Sequence, residues 1–440
     1  MSHGVDRLWS VAEHLDNILG QLSPLDPIDL QLLDAQGCVL VEDVTVPTSL
    51  PPFPNSSMDG YAVRVADTKA ATREHPAVLE VIGDIAAGSG EPPAVGPGQA
   101  ARIMTGAPLP EGAEAVVPVE WTDGGTGGGP VDSMTAFGDD PGGASGEVRV
   151  HRAPEAGQFV RARGSDVTAG ELALAAGTVL GAPQIGLLAA IGRGTVTVRP
   201  RPRVVIVSTG SELVQPGEEL TPGRIHDSNS FALTAAARAA GAIAYRVGAV
   251  ADEVETLRAT IEDQLIRADV IVTSGGVSVG AYDVVKEALT SLGGSFGDDA
   301  EDAAGHVDFR RLAMQPGKPQ GFGRIGPERT PLLALPGNPV SAYVSFEMFA
   351  RPVIRTLMGA VDVHRRVVQA ACTTAIEDSP DGRRQFLRAQ YDKRSGTVTP
   401  VGGAASHLVK ALAYADALIV VPEEVTSFAA GSEVDVVVLD

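Results

Sequence analysis

The sequence predicts a multidomain protein of α/β plus β class: a central doubly wound α/β domain, β-rich N-terminal segments, and a small C-terminal β-barrel or sandwich. Three observations predict it. The 440 residues exceed one domain at roughly 100 to 200 residues each. Residues 204–358 alternate apolar runs with helical stretches, whereas the segments before about 200 and after 361 carry short β-branched runs punctuated by glycine. With 44% hydrophobic and 20% charged residues, the composition is globular and far from the signature of disordered chains.

At the N-terminus Val5, Leu8, Ala12, Leu15, Ile18 and Leu19 recur with helical period and predict one amphipathic helix ending at Gly20. After Pro24 and Pro27, residues 44–65 hold four prolines and an Asp59-Gly60 pair, a loop that leads into a strand. Residues 122–147 contain nine glycines, too little bulk to offset their ordering entropy, and are expected to form a mobile spacer rather than an active-site lid. In the central region the apolar runs 204–208, 269–274 and 331–336 alternate with helical stretches 230–242, 253–266, 282–292 and 340–357. That alternation implies a parallel sheet covered on both faces. The last stretch returns to short runs such as 418–422 and 434–439.

Thirty-four basic against 55 acidic residues give a net charge of −21, which repels phosphate backbones and argues against nucleic acid or an anionic membrane as a general partner. No run approaches the roughly 18 apolar residues of a membrane helix, and Asp6, Glu13 and Asp16 interrupt the first twenty residues. The expected location is the cytoplasm. The two cysteines, Cys38 and Cys372, lie far apart without metal-ligand spacing, so both are expected as small buried apolar residues.

In an open α/β sheet ligands bind beyond the carboxyl ends of the strands. Three loops there carry unusual chemistry: Thr209-Gly210-Ser211-Glu212, the run Gly275, Gly276, Val277, Ser278, Val279 and Gly280, and Gly337-Asn338-Pro339. The glycines would let backbone N–H groups approach an oxyanion, although the run matches neither the dinucleotide nor the Walker pattern and reads equally as a tight turn. Asn338-Pro339 also reads as an ordinary helix start. Glu212, Asp227, Asp252 and Asp283 are hard oxygen ligands suited to a divalent cation beside phosphates, and singly each also reads as a solvated or capping residue. Lys318, between Pro316 and Pro319, presents its charge from a stiff loop. Spacing does not place Arg383, Arg388 or Ser406. These residues together point to an anionic, phosphorylated small ligand handled with Mg²⁺.

The strings 51–63 (PPFPNSSMDGYAV), 101–120 (ARIMTGAPLPEGAEAVVPVE), 163–170 (RGSDVTAG), 208–213 (STGSEL), 273–283 (TSGGVSVGAYD), 315–319 (QPGKP) and 335–342 (LPGNPVSA) follow in that order. Together they resemble the molybdenum insertase family, the molybdopterin molybdenumtransferases that include the MoeA proteins and the E domain of gephyrin. The resemblance implies transfer of molybdenum from molybdate into adenylated molybdopterin with Mg²⁺-dependent release of AMP, giving molybdenum cofactor. It implies a central domain of molybdopterin-binding type, a homodimer with composite sites, and the upstream adenylyltransferase as a further partner. The implied division is 1–46 (N-terminal helix and start of a linker domain), 47–149 (β domain), 150–180 (return of the linker domain), 181–360 (α/β domain) and 361–440 (C-terminal β-barrel).

Residue by residue, the resemblance puts Asp59, Thr105 and Asp166 in the part of the site completed by the β domain. Glu212, Asp252 and Asp283 match the acidic positions of the crevice, as catalytic and metal-binding groups. Gly275, Gly276, Ser278 and Asn338 match its substrate-binding loops, and Lys318, Pro319, Arg388 and Ser406 its molybdate pocket. Gln315 stands where one common form of the family motif has a lysine, which removes one positive charge. Two other readings compete. An adenylyltransferase is disfavoured by the long β segments and the Lys318 and Arg388 motifs, and a scaffold of gephyrin type by the lack of an extra domain and long linker.

Overall fold

The computed structural model describes residues 8–88, 90–134, 146–277, 287–288 and 306–439. The chain forms two compact units, one of Asp43–Ala176 with Ala182–Thr195, the other of Met1–Glu42, Gly177–Gly181 and Val196–Asp440. No helix among the described residues is long and apolar enough to cross a membrane.

The first helix, α1 (Val11–Leu19), begins later than the periodicity from Val5 suggests. Ser10 stops it: its hydroxyl accepts the Glu13 N–H at 3.1 Å and the Glu13 carboxylate accepts the Ser10 N–H at 2.8 Å, a reciprocal capping box. Gly20 closes the helix, its N–H returning to the Asp16 and Ile18 carbonyls. Val11, His14 and Ile18 form the buried face.

In the smaller unit, strands β1 (Gly60–Val63), β2 (Ala77–Ile85), β3 (Gln99–Ile103), β4 (Ala115–Pro118) and β5 (Gly146–Val150) make a five-stranded sheet of order β4-β1-β3-β2-β5. All four residues of β1 are buried because alternate side chains serve two cores: Tyr61 and Val63 pack with Leu79 and Val148, and Ala62 with Ile85 and Ile103. Gly60 permits this approach, since a Cβ there would lie 2.0 Å from the Val117 carbonyl oxygen. The glycine-rich stretch expected as a spacer starts as an anchored turn. Thr122 and Asp123 are buried, and the Asp123 carboxylate accepts the N–H groups of Gly125, Gly127 and Arg149 at 2.9–3.0 Å. Residues 135–145 of that stretch lie outside the described residues.

The larger unit is built on a six-stranded sheet of β6 (Arg203–Thr209), β7 (Ile243–Val250), β8 (Val270–Ser274), β9 (His306–Arg311), β10 (Pro319–Ile325) and β11 (Thr330–Leu335), in the order β7-β6-β8-β11-β10-β9. The first four are parallel. The parallel sheet expected is mixed at one edge, where β10 pairs antiparallel with both β11 and β9. The reason is the short connection from β10 to β11, turning through Gly326 and Arg329 at positive φ, which allows a hairpin but no crossover. Helices α2 (Asn229–Ala239), α4 (Pro339–Ser345) and α5 (Arg351–Leu357) cover one face through Val204, Ile206, Val270 and Leu333. Helix α3 (Val254–Leu265) covers the other through Val205, Val207, Ile271 and Leu332. Between α4 and α5 the single expected helix passes through a π turn, Phe346–Ala350. Pro352, which lacks an N–H for the regular ladder, follows it. Of the helical stretch expected at 282–292, only 287–288 are described.

The C-terminal stretch is a barrel rather than a sandwich. Strands β12 (Val367–Cys372), β13 (Arg384–Asp392), β14 (Thr397–Pro400), β15 (Ala417–Val421) and β16 (Glu433–Val438) pair in the order β13-β14-β12-β16-β15, and β15 pairs back to β13, closing five strands. Cys372 lies in its core with Val398, Ile419 and Val436. Cys38 is also buried, and both thiols are free.

Candidate functional site

Strand β6 is followed in sequence by β7 on one side and then by β8 on the other, so the topological switch lies between β6 and β8, where an open sheet leaves a crevice. A cavity of about 620 Å³ opens there. Its floor is made by loops that nest because two of them lack side chains. Gly275 adopts φ +104°, and a Cβ on it would come within 2.3 Å of the Thr209 carbonyl oxygen. Its N–H donates to the Leu335 carbonyl at 3.1 Å, and Gly337 lies alongside, where a Cβ would be in ordinary contact with the Gly275 Cα at 3.4 Å. The three expected loops therefore converge, with Gly275, Gly276 and Asn338 all lining the cavity.

Glu212 and Asp252 line the same cavity. Gly210, at φ +156°, lies beside the Glu212 carboxylate, 2.7–2.9 Å from where a Cβ would stand. The Asp252 N–H donates to the Ser211 hydroxyl at 3.3 Å, while its Oδ1 is buried with no hydrogen-bond partner. Burial, and then the negative charge of Glu212, raise the Asp252 pKa. Two carboxylates held together at such a cost suit a hard cation. Asp283 and Ser278 lie outside the described residues, and among the described residues no group of three or more metal-ligating side chains gathers. Asp227 has another task. It is 1% exposed, and its carboxylate accepts from the Ser208 hydroxyl at 2.9 Å and from the Ser230 N–H at 3.1 Å and hydroxyl, which fixes the start of α2.

Gln315, Lys318, Pro319 and Ser406 also line the cavity. The lysine loop is held from behind by Gln320, 1% exposed, whose amide donates at 2.6 Å to both the Gly317 carbonyl and the Ser345 hydroxyl. The Ser406 carbonyl accepts the Val340 N–H at 3.1 Å, joining that loop to α4. Asn338 occupies the N-cap position of α4, yet its side chain makes no capping bond. Arg388 does not line this crevice. It is 2% exposed and borders a separate cavity of about 200 Å³. Its guanidinium donates to the Ala405 carbonyl at 3.1 Å and to that of Gly403, thereby shaping the loop that carries Ser406, and burial lowers its pKa.

Asp59, Thr105 and Asp166 belong to the smaller unit. Asp59 and Thr105 are exposed and hydrogen-bonded to each other. Asp166 is exposed, its N–H donating to the Leu50 carbonyl at 3.0 Å.

Several lining residues escaped the sequence reading: Thr209 as a side chain, Leu213, Ile225, His226, Asn229 and Ser274. Leu213–Val214 and Ile225–His226 form a two-stranded parallel ladder too short to leave a periodic signal. Asn229 follows Asp227 and Ser228, a run legible only as a helix start.

Comparisons with known proteins cover the whole arrangement. The MoeA N-terminal region (domain I and II) matches residues 9–192, a probable molybdopterin binding domain residues 205–356, and the MoeA C-terminal region (domain IV) residues 370–439. Molybdopterin molybdenumtransferase 2 of Mycobacterium tuberculosis is 45% identical over 427 residues, covering 97% of this chain and 98% of its own. The molybdopterin molybdenumtransferase of Bacillus subtilis is 33% identical over 402 residues, covering 91% and 87%. A crystal structure of a molybdopterin biosynthesis MoeA protein from Pyrococcus horikosii superposes with a TM-score of 0.71 at 30% identity, over 99% of this chain and 100% of that one.

Proposed function

The chain belongs to the MoeA family, and from that premise we propose that it transfers molybdenum from molybdate into adenylated molybdopterin, releasing AMP. One observation carries the reading: the Glu212 and Asp252 carboxylates and the positive Lys318 line one crevice. A phosphorylated substrate with a cation and a small dianion needs both.

In this reading the loop at Gly276, anchored by the Gly275 N–H on the Leu335 carbonyl, receives phosphate oxygens, and Lys318 with Ser406 holds molybdate by charge and hydroxyl donation. Arg388 supports the Ser406 loop through the Gly403 and Ala405 carbonyls. Glu212 and Asp252 would hold Mg²⁺ as two like-charged carboxylates lining one crevice; when bound, the ion supplies positive charge to the pyrophosphate oxygens. Asp59, Thr105 and Asp166 complete the site as part of a cytoplasmic homodimer, and the upstream adenylyltransferase delivers the substrate. The fivefold domain division, 1–46, 47–149, 150–180, 181–360 and 361–440, belongs to the same proposal.

The test is AMP release from adenylated molybdopterin by the purified protein with Mg²⁺, with and without molybdate. Molybdate-dependent release supports the reading. Formation of adenylated molybdopterin from ATP instead would assign the protein to the preceding step, and the absence of both activities would point to a scaffold.

A further inference from the structure

We infer that Asn229 is a positioning residue that locks the two ligand-facing glycine loops at one spacing, and so sets affinity for the phosphorylated substrate. The inference rests on the insertase reading. Asn229 is the first residue of α2, and its Nδ2 donates to the Ser274 hydroxyl at 2.8 Å and to the Gly337 carbonyl at 2.7 Å. Ser274 ends β8 and is 1% exposed; Gly337 follows Pro336 just past β11. The Ser274 hydroxyl in turn donates to the Pro336 carbonyl at 3.4 Å. A single amide thus clips together the carboxyl ends of two neighbouring parallel strands, from the helix that follows a third.

The loops need such a clip. Gly275 and Gly337 have no side chains with which to hold each other, and at Gly275 the Thr209 carbonyl leaves no room for one. The anchor itself is firm, because Asp227 ties the first turn of α2, through Ser230, to Ser208 at the end of β6. Both amide protons of Asn229 are spent on the loops, so its pull on the ligand passes through Gly275, Gly276 and Gly337. An aspartate of the same shape would offer only acceptors to the Gly337 carbonyl, which cannot donate.

The experiment uses the full chain with Asn229→Ala, Asn229→Asp, Ser274→Ala and the Asn229→Ala/Ser274→Ala double variant. Steady-state AMP release gives separate KM values for adenylated molybdopterin and molybdate, and amide hydrogen exchange is followed at 274–277 and 335–338. Losing these two hydrogen bonds should raise KM for adenylated molybdopterin about tenfold or more in Asn229→Ala and leave that for molybdate within about twofold. Exchange should quicken in both segments. Ser274→Ala should act in the same direction, and the double variant should be no worse than Asn229→Ala alone, while Asn229→Asp should not rescue. Additive effects with unchanged exchange would overturn the inference and make Asn229 a direct ligand contact. Equal rises in both KM values, or a fall in Tm with neither KM moved, would also overturn it. The exchange readout needs no turnover, so failure of the insertase reading in the unsubstituted protein remains distinguishable from failure of the clip.

Discussion

Asp59 sets one carboxylate oxygen, Oδ1, against both the backbone N–H and the hydroxyl of Thr105, at 2.7 and 2.9 Å. Two residues forty-six positions apart are thereby one chemical unit: Thr105 fixes the carboxylate through Oδ1. Removing either partner should have the same consequence. Thr105→Val should cost about 1 kcal/mol or less in stability, as for a single exposed hydrogen bond. Its loss of turnover should not add to that of Asp59→Ala. A double-mutant cycle on AMP release checks this, and full additivity would show that the two act separately.

Lys318 stands in the crevice on a loop braced by Gln320. A charge-assisted contact is worth about 1.5–3 kcal/mol, so Lys318→Ala should raise the molybdate KM roughly ten- to a hundredfold. Binding of adenylated molybdopterin, followed by calorimetry, should persist. Unchanged molybdate dependence would remove Lys318 from the anion pocket.

Burial and then the Glu212 charge raise the Asp252 pKa. On acidification, Asp252 therefore takes up its proton at a higher pH than an ordinary carboxyl group, and Mg²⁺ binding should fall away with it. Glu212→Gln removes the like charge, so the Asp252 midpoint, read by carboxyl NMR in metal-free protein, should move to lower pH. Mg²⁺ affinity should weaken at neutral pH, because a ligand is lost. A midpoint indifferent to Glu212 would separate the two carboxylates.

His14 is buried on α1 with its ring edge against Phe349, 5.0 Å between centroids. Burial, reinforced by the Arg310 charge, lowers its pKa to about 4 from 6.5, although Asp308 opposes the shift. Above pH 6.5 the ring is neutral in both folded and unfolded chains, and its contribution to stability is fully present. As pH falls from 6.5 toward about 4, the unfolded chain binds a proton that the folded one refuses, which should cost roughly 3 kcal/mol. Urea unfolding at pH 7 and 4.5 should show most of this loss in the unsubstituted protein and little of it in His14→Leu. An equal decline in both would assign the acid sensitivity elsewhere.

Local pattern made much of this molecule legible. Alternating apolar runs and helical stretches announced the central sheet, because strands covered on both faces are continuously apolar. The ordered motifs, in turn, led to Glu212, Asp252, Gly275, Lys318 and Ser406. Short or hidden elements stayed out of reach: the antiparallel β9 and β10 edge, the two-residue ladders, and the Ser10 cap that shortened the first helix. Tertiary structure alone decided that Asp227 is spent on capping, that Arg388 turns to the Gly403 and Ala405 carbonyls instead of lining the crevice, and that Asn229 joins Ser274 to Gly337. The reason is physical. Periodicity and composition report which face of an element is buried, a property of neighbours in sequence, whereas a side chain's hydrogen-bond partners are chosen among groups that only the folded backbone brings within 3 Å.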